Sequence, residues 1–300
     1  MVKSLLYQMK IEHMKSFKAL MINALQNYDA VLPTLGDMFD ADVFAQVPQP
    51  RCKILANFGV GYNHIDVDAA RAAGITVTNT PGAVTDATAD VALTLILMSA
   101  RRAAEGERMV RAGAWEGWHP TQLLGMHLGG KTVGIVGMGR IGQAIAKRCH
   151  LGFGMQVAYH SRSPKVLPFE ATAYGDLHAL AGAVDVLVVA VPGGAETHHL
   201  IDATVFQAMQ PHAHLVNIAR GNVIDEQALV QALEAGDIGG AGLDVYEFEP
   251  RVPAALIALE NVVLLPHIGT AALDVREEMG LMSVQNLCAF FDGEAPPNSV

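Results

Sequence analysis

The chain has 300 residues, of which 51% are hydrophobic and 6% aromatic, and its formal net charge is −10 at pH 7. This length and composition are typical of a folded protein with about two domains and exclude a disordered one. The acidic balance argues against a general binder of nucleic acids or anionic membranes, although a local basic patch could still hold a phosphate.

Predicted helices and strands alternate along most of the chain. Residues 1–27 are predicted to form one helix, which leads into the segment 28–44. From residue 50 onward, β-rich runs alternate with helical patterns, as is typical of βαβ units and a parallel sheet. Strands are predicted over 53–59, 75–80, 131–137, 155–160, 184–191, 214–219, 239–245 and 262–267, and helices over 64–74, 86–102, 140–150, 176–182, 204–210, 226–236 and 272–292.

The order of these elements predicts an α/β fold with two domains. The last predicted helix begins after the second sheet is complete, so we expect it to return to the first domain. The predicted division is a discontinuous domain of residues 1–82 plus 272–300 and a second domain of residues 83–271. The helix over 86–102 is apolar on nearly every face, which predicts burial against another element or a partner subunit.

Cysteine usage and hydropathy indicate a cytoplasmic protein. Cys52, Cys149 and Cys288 stand apart without CxxC spacing, which predicts reduced core thiols and argues against a disulfide framework or a metal site. The N-terminal segment has no apolar run with a small-residue cleavage site. The most apolar stretches, 91–100 and 184–191, are about half the length that crosses a bilayer.

A glycine-rich motif follows the strand predicted over 131–137. Its sequence is G-x-G-x-x-G, and it opens the next predicted helix, the context in which the pattern indicates a dinucleotide site rather than an ordinary turn. Gly137 permits the tight turn, Gly139 lets the backbone approach a pyrophosphate, and Gly142 lets the helix pack closely on the strand. The N–H groups at the helix start, aided by the helix dipole, would bind the anion.

The residues that follow the next strand favour NADP(H). An NAD-specific site places an acid about 20 residues after the motif, where it accepts from the ribose 2′-OH. No acid occurs between Gly142 and Glu170, and Arg162 offers a 2′-phosphate two parallel donors. The alternative is that this segment is a solvated turn, and NAD(H) use stays possible. The residues concerned are His160, Ser161, Arg162, Ser163 and Lys165.

Three ionisable residues follow predicted strands in the second half of the chain. Because ligands of open α/β sheets bind beyond the carboxyl ends of strands, Arg220, Glu249 and His267 could converge there. Reduction of a 2-keto acid needs a cation that polarises the carbonyl, which suits Arg220, and a proton donor, which suits His267. Glu249 would favour the protonated form of His267. Taken singly, His267 could be an ordinary strand-end histidine and Glu249 a solvated loop acid.

Several segments in the same order resemble the D-isomer-specific 2-hydroxyacid dehydrogenases, in particular the branch of glyoxylate/hydroxypyruvate and 2-ketogluconate reductases. The resemblance implies two Rossmann-like or flavodoxin-like domains with parallel sheets and a cleft between them, of which 1–82 plus 272–300 binds substrate and 83–271 binds the dinucleotide. That family opens its smaller domain with a strand, which the helix predicted over 1–27 would replace. The matching segments are 59–82, 85–93, 130–148, 217–233, 241–250 and 264–271.

The resemblance also implies residue roles. Arg220, Glu249 and His267 align with the family's catalytic arginine, glutamate and histidine, and Asp244 with the aspartate that meets the nicotinamide carboxamide. Val60 and Gly61 match the loop that takes the substrate carboxylate through backbone N–H groups. A homodimer is implied, with Trp115 or Trp118 reaching a partner's site. Residues that match cofactor-lining positions are Thr88, Arg140, Ile141, Pro192, Ile218 and Gly269.

Three functions are compatible with this sequence. The first is an NADPH-preferring reductase of glyoxylate, hydroxypyruvate or 2-ketogluconate. The second is a nucleotide-sensing binding protein of the corepressor type, which would need a partner-docking surface or tail; from the final segment, APPNSV, we expect no such extension. The third is another dehydrogenase on the same scaffold, for formate or phosphite, which only substrate turnover would distinguish.

Overall fold

A computed structural model of the chain describes residues 17–300. The chain forms two compact units: one takes the residues up to Val84 together with Ala272–Val300, and the other is Thr85–Ala271. No helix within 17–300 is long and apolar enough to cross a membrane.

The first unit contains a small parallel sheet. Residues 17–27 form helix α1, as predicted for that part of 1–27, whereas residues 1–16 lie outside the described chain. The sheet has the order β1-β2-β3, and its central strand β2 is buried along its whole length. The elements are β1 (Ala30–Val31), α2 (Ala41–Ala45), β2 (Ile54–Ala56), α3 (Val67–Ala72) and β3 (Thr76–Thr78).

The second unit contains a larger, wholly parallel sheet in the order β10-β9-β8-β7-β4-β5-β6. The sequence predicts all of these strands except β6, which is too short to show a periodic pattern. The elements are α4 (Thr85–Ala100), α5 (Ala103–Arg111), β4 (Thr132–Val136), α6 (Arg140–Phe153), β5 (Gln156–His160), β6 (Thr172–Ala173), α7 (Leu177–Ala183), β7 (Val186–Val189), α8 (Ala203–Ala208), β8 (His214–Asn217), α9 (Glu226–Ala235), β9 (Gly240–Leu243), α10 (Ala254–Ala258) and β10 (Val262–Leu264).

Both faces of the larger sheet are covered, which explains why its strands are almost continuously apolar. Along β7, Val186 and Val188 join the core cluster beneath α4 and α6. Leu187 and Val189 join the opposite cluster, beneath α7, α8 and α9. Because all strands run in one direction, their carboxyl ends lie along one edge, and the chain reverses its strand order between β4 and β7. Ligands of such sheets bind at this switch point.

Helix α4 is buried by its own unit. It packs on α6 and on β8, β9 and β10, and a Cβ added to Gly242 of β9 would lie 2.9 Å from Leu95 Cβ. The sheet and α6 therefore cover this apolar helix, in agreement with the predicted burial against another element. The helix ends at Ala100 rather than at Arg102, because Arg102 adopts a left-handed backbone conformation with φ 51° and is the N-cap of α5.

The last helix, α11 (Leu273–Phe291), belongs to the first unit, where it packs on β2. Its Asn286 is fully buried, donates to the Asn79 carbonyl at 3.3 Å and accepts from the Asn298 amide at 3.2 Å. These bonds attach the helix to the loop after β3.

The three cysteines are free thiols. Cys52 and Cys149 are buried, as predicted for core thiols, and burial raises the pKa of the Cys149 thiol to about 12. Cys288 lies on α11 and is exposed, so the prediction that all three are core thiols was wrong for this residue.

Candidate active site

The glycine motif forms the turn between β4 and α6. Gly137 has φ 97°, and a Cβ there would lie 2.7 Å from the Ala190 carbonyl oxygen of the neighbouring β7 loop. A Cβ on Gly142 would collide with the Gly137 carbonyl oxygen. Both positions therefore require glycine, one for its backbone conformation and both for close packing.

The start of α6 is suited to bind an anion. Gly139 caps the helix but has no side chain that could accept from the first-turn amides. The exposed Arg140, the half-buried Ile141 and Gly142 form that first turn, whose N–H groups have no partner within a helix. The positive end of the helix dipole adds to their attraction for a phosphate.

A tight turn follows β5, next to the glycine motif. The His160 carbonyl accepts from the Gly137 amide at 2.9 Å, and His160 Nδ1 lies 3.0 Å from the Tyr174 carbonyl oxygen. Ser161 Oγ donates to the Ser163 carbonyl at 2.8 Å, which closes the turn. The Arg162 side chain is 86% exposed and extends from this turn.

An acidic residue lies beside Arg162, although none occurs near it in the sequence. Glu196 Oε2 is 3.4 Å from Arg162 Nη1, and both side chains are exposed. Glu196 belongs to the loop that follows β7, in a short 3-10 helix over Ala195–Thr197. Sequence reasoning missed it because the two residues are 34 positions apart.

Asp244, at the end of β9, holds the backbone that follows His267. Its Oδ1 accepts from the Ile268 amide at 2.7 Å and its Oδ2 from the Gly269 amide at 2.8 Å. Burial raises the pKa of Asp244, an effect that these two hydrogen bonds oppose. A Cβ on Gly269 would lie 3.2 Å from Asp244 Oδ2 and 3.6 Å from Thr88 Oγ1, so the structure brings these three predicted residues together.

Two further predicted cofactor positions follow adjacent strands. Pro192 comes after β7 and is exposed, and its carbonyl accepts from Thr197 Oγ at 2.8 Å. Ile218 comes directly after β8 and is buried, 7% exposed. Both residues lie on the carboxyl edge of the sheet.

Glu249 and His267 form a hydrogen-bonded pair. His267 Nδ1 lies 2.8 Å from Glu249 Oε2, and Glu249 Oε1 accepts from the Tyr246 amide at 3.0 Å. Burial by itself raises the pKa of Glu249, but the hydrogen bonds from His267 and Tyr246 and the charges of His267 and Arg220 bring it below its usual value. His267 has φ 55°, an unusual conformation for a residue other than glycine, which orients its ring. The pair borders a cavity of about 320 Å³.

Arg220 ends the extended chain after β8. Its Nη1 donates to the Ala219 carbonyl at 2.7 Å, and its own carbonyl accepts from Asn217 Nδ2 at 2.9 Å. Burial lowers the pKa of Arg220, and the negative charge of Glu249 partly offsets this. Arg220, Glu249 and His267 thus follow three consecutive strands, β8, β9 and β10, on the same edge of the sheet.

The first unit holds the predicted carboxylate-binding loop in a fixed shape. Asn57 Nδ2 donates to the carbonyls of Gly59 at 2.9 Å and Gly61 at 3.1 Å, and Asn79 Nδ2 donates to the Val60 carbonyl at 2.9 Å. No acceptor within residues 17–300 takes a hydrogen bond from the Val60 or Gly61 amide. Sequence reasoning missed both asparagines because their partners are backbone atoms.

Comparison with known proteins places these features in a family. A sequence model described as "D-isomer specific 2-hydroxyacid dehydrogenase, NAD binding domain" matches residues 93–269. Glyoxylate reductases of Thermococcus onnurineus and Pyrococcus horikoshii are 45% and 46% identical to the chain over 289 residues, which cover 94% of this chain and 86% of each relative.

A solved structure is similar as well. The crystal structure of the NADPH-dependent glyoxylate/hydroxypyruvate reductase from Sinorhizobium meliloti, in complex with NADP and malonate, is 40% identical and has a TM-score of 0.85. The match covers 94% of this chain and 87% of that one.

Proposed function

The chain belongs to the D-isomer-specific 2-hydroxyacid dehydrogenases and is an NAD(P)-dependent oxidoreductase; we propose that it reduces a small 2-keto acid of the glyoxylate or hydroxypyruvate type with NADPH as the preferred donor. The observation that carries this proposal is the Glu249–His267 pair, 2.8 Å apart, on the same sheet edge as Arg220. The names of the relatives support the substrate class.

In this proposal each of the three charged side chains has one catalytic role. A bound nicotinamide supplies the hydride that reduces the C2 carbonyl. Arg220 holds the keto acid and polarises its carbonyl oxygen. His267 gives a proton from Nε2 to the developing alkoxide, while Glu249 holds Nδ1 and stabilises the protonated ring. Addition of one hydride and one proton converts the 2-keto acid into the 2-hydroxy acid.

We assign the substrate carboxylate to the amides of Val60 and Gly61. The two asparagines fix the carbonyls of this loop, so its N–H groups keep a defined direction. Preorganised N–H groups are well suited to bind an anion. In this assignment residues 1–82 with 272–300 are the substrate-binding domain and 83–271 the dinucleotide-binding domain.

NADPH preference rests on the turn after β5. We assign the pyrophosphate to the first turn of α6 and the 2′-phosphate to Arg162, with the Ser161 and Ser163 hydroxyls and His160 beside it. We assign the nicotinamide side of the cofactor site to Asp244, Gly269, Thr88, Pro192 and Ile218. Arginine suits this role because its guanidinium carries a permanent charge and two parallel donors.

We also propose a cytoplasmic homodimer. The segment after α4 exposes several large apolar side chains, which a second copy could cover. They are Val110, Trp115, Trp118 and Leu124, which are 61%, 54%, 80% and 66% exposed. Three free cysteines suit a reducing compartment. Light scattering after gel filtration at several concentrations would measure the mass and contradict the proposal if only monomers are present.

The proposed reaction is tested by the loss of NADPH absorbance on addition of glyoxylate, hydroxypyruvate or 2-ketogluconate, with NADH in parallel. We expect NADPH oxidation with at least one keto acid and slower oxidation of NADH. A protein that binds NADPH but oxidises it with none of the three would contradict the proposal. Reduction of NADP by formate or phosphite would assign a different dehydrogenase activity.

A further inference from the structure

His199 lies outside the catalytic trio but contacts both loops that carry its charged members. Its backbone N–H donates to the Asn222 carbonyl at 2.9 Å, two residues after Arg220. Its ring Nε2 lies 2.9 Å from Glu247 Oε1, two residues before Glu249. A single residue thus connects the loop after β8 with the loop after β9.

The Glu247 loop is anchored from a second side. The Glu247 amide donates to Glu226 Oε1 at 2.9 Å, and Glu226 is buried in the first turn of α9. A Cβ on Gly221 would collide with the backbone of Tyr246 and Glu247, so the two loops touch directly. Both the main chain and the side chain of Glu247 are therefore held, and the side chain is held by His199.

The backbone conformation of His199 indicates that the surrounding structure imposes the contact between His199 and Glu247. Its φ is 49°, a left-handed conformation that costs energy in any residue other than glycine and persists only where surrounding contacts impose it. The Ile201 carbonyl accepts from the Asp225 amide at 3.0 Å, which fixes the same segment two residues later. The side chains of His199 and Glu247 are 34% and 13% exposed, so water competes weakly for their hydrogen bond.

His198 is adjacent, and together with His199 and Glu247 it offers three potential metal ligands within 4.8 Å of one another. The geometry does not favour a metal ion. The two imidazole rings are stacked, with centroids 4.0 Å apart and an angle of 26° between their planes. A metal ion must lie in the plane of each ring that binds it, whereas stacked rings direct their nitrogen lone pairs side by side. His199 Nε2 is already bonded to Glu247.

We propose that His199 is a positioning residue of the reaction: through Glu247 it sets the place of the Glu249 carboxylate against His267, and through Asn222 it supports the Arg220 loop. The inference rests on the proposed function, because it assigns His199 a part in that reaction. Loss of the His199 side chain would release the Glu247 side chain and loosen the segment that leads to Glu249. The Glu249 carboxylate would keep its bond to the Tyr246 amide but would be held less firmly against His267. Asp244 and Arg220, the other charged groups near His267, keep their own anchors.

The test compares His199→Ala and His199→Gln with the matched control His198→Ala, which removes the stacked ring and leaves the Glu247 contact intact. We expect His199→Ala to lower kcat at least tenfold with little change in the Kd for NADPH. The alkaline limb of its pH–kcat profile, where activity falls as pH rises, should also move to lower pH than in wild type. Glutamine at position 199 can donate to Glu247 and should restore most of the rate, and His198→Ala should behave as wild type.

Two measurements keep this inference separate from the proposed reaction. NMR titration of the His267 ring reports its pairing with Glu249 in the absence of substrate. The midpoint of this titration should shift in His199→Ala and in Glu247→Gln, but not in His198→Ala. If wild type reduces no keto acid while the titration shifts as expected, the proposed function fails, and the contact through which His199 positions Glu249 against His267 is still supported. The positioning role is overturned if the titration and the pH profile are unchanged in His199→Ala, or if His198→Ala has the same effects. Stoichiometric Zn²⁺ binding that is lost in His198→Ala would replace it with a metal site.

Discussion

His267 Nδ1 lies 2.8 Å from Glu249 Oε2, and this contact determines which ring nitrogen can serve the substrate. With Nδ1 held by a carboxylate that is itself anchored to the Tyr246 amide, only Nε2 remains to give a proton. The backbone that follows His267 is also fixed, because Asp244 accepts hydrogen bonds from the amides of the next two residues. In this pair, His267 is a proton donor with a defined orientation, and Glu249 is a negative charge held in a fixed position beside it.

Replacement of His267 by alanine should abolish the proton transfer and leave the cofactor site intact. We expect kcat to fall by about 10²–10⁴-fold, the range typical of a lost general acid. The Kd for NADPH, measured by fluorescence titration, should stay within about twofold, because the phosphate groups are assigned to the start of α6 and the turn after β5, whereas His267 follows β10 at the other end of the sheet. Near-normal turnover in this variant would reject the role of general acid.

Replacement of Glu249 by glutamine keeps the size of the side chain and removes its charge. The lowered pKa of Glu249 means that the wild-type carboxylate stays ionised as pH falls below the range in which an ordinary glutamate takes up a proton. Its support of His267 is therefore present at neutral pH and is lost only as pH falls through the lowered pKa of Glu249, below the usual glutamate range. We expect Glu249→Gln to lower kcat at pH 7 and above, with the loss growing as pH rises because the imidazole then lacks the negative charge bonded to its Nδ1. A uniform loss across the pH–rate profile would contradict this assignment.

Arg162 and Glu196 should affect the choice of cofactor in opposite directions. Arg162→Ala should raise the KM for NADPH by about tenfold, as expected for loss of a charge-assisted hydrogen bond, and change the KM for NADH little. Glu196→Gln should lower the KM for NADPH, because the wild-type carboxylate lies 3.4 Å from the same guanidinium and repels a phosphate. The effect of Glu196 should be small and should shrink with added salt, since both side chains are exposed.

Steady-state kinetics with both cofactors measures these changes, and Glu170→Gln controls for the loss of one exposed acid in the same region. Equal effects of Arg162→Ala on NADPH and NADH would mean that Arg162 does not read the 2′-phosphate. An unchanged KM for NADPH in Glu196→Gln would mean that the contact with Arg162 is not maintained in solution.

The features that could be predicted from the sequence are those that depend on residues close together in the chain. The turn at Gly137 and the close approach at Gly142 need glycine for reasons that depend on nearby residues, so the motif and its flanking strand and helix are readable. The ends of strands are equally readable, because buried apolar runs stop there. This is why Arg220 and His267 stand out as residues on one edge of a parallel sheet.

The features that could not be predicted from the sequence depend on contacts between segments that are far apart in the chain. Glu196 reaches Arg162 from another loop, and His199 reaches Glu247 across 48 positions. Neither pair leaves a periodic pattern, and each residue alone resembles an ordinary polar loop residue. The exposure of Cys288 was misjudged for a related reason: which face of α11 is covered depends on the fold of its unit and not on the cysteine itself.

His214 should make the protein sensitive to mild acid. It lies at the start of β8, with Nδ1 2.7 Å from Ser99 Oγ, and burial lowers its pKa to about 4, with a smaller contribution from His212. The unfolded chain takes up a proton at this position near pH 6.5, whereas the folded chain does not until about pH 4. The stabilising contribution is therefore complete above pH 6.5 and is lost progressively as pH falls to about 4.

A depression of this size corresponds to about 3 kcal/mol of the free energy of unfolding, at about 1.4 kcal/mol per pKa unit. Urea unfolding at pH 7 and pH 4.5 measures it, with His214→Asn as the variant, because asparagine does not titrate and can still bond to Ser99. We expect His214→Asn to lose stability at pH 7 but to show a weaker decline between the two pH values than wild type. His119→Asn, at an exposed loop position, should follow the wild-type curve. Parallel declines in wild type and His214→Asn would show that His214 is not the group responsible.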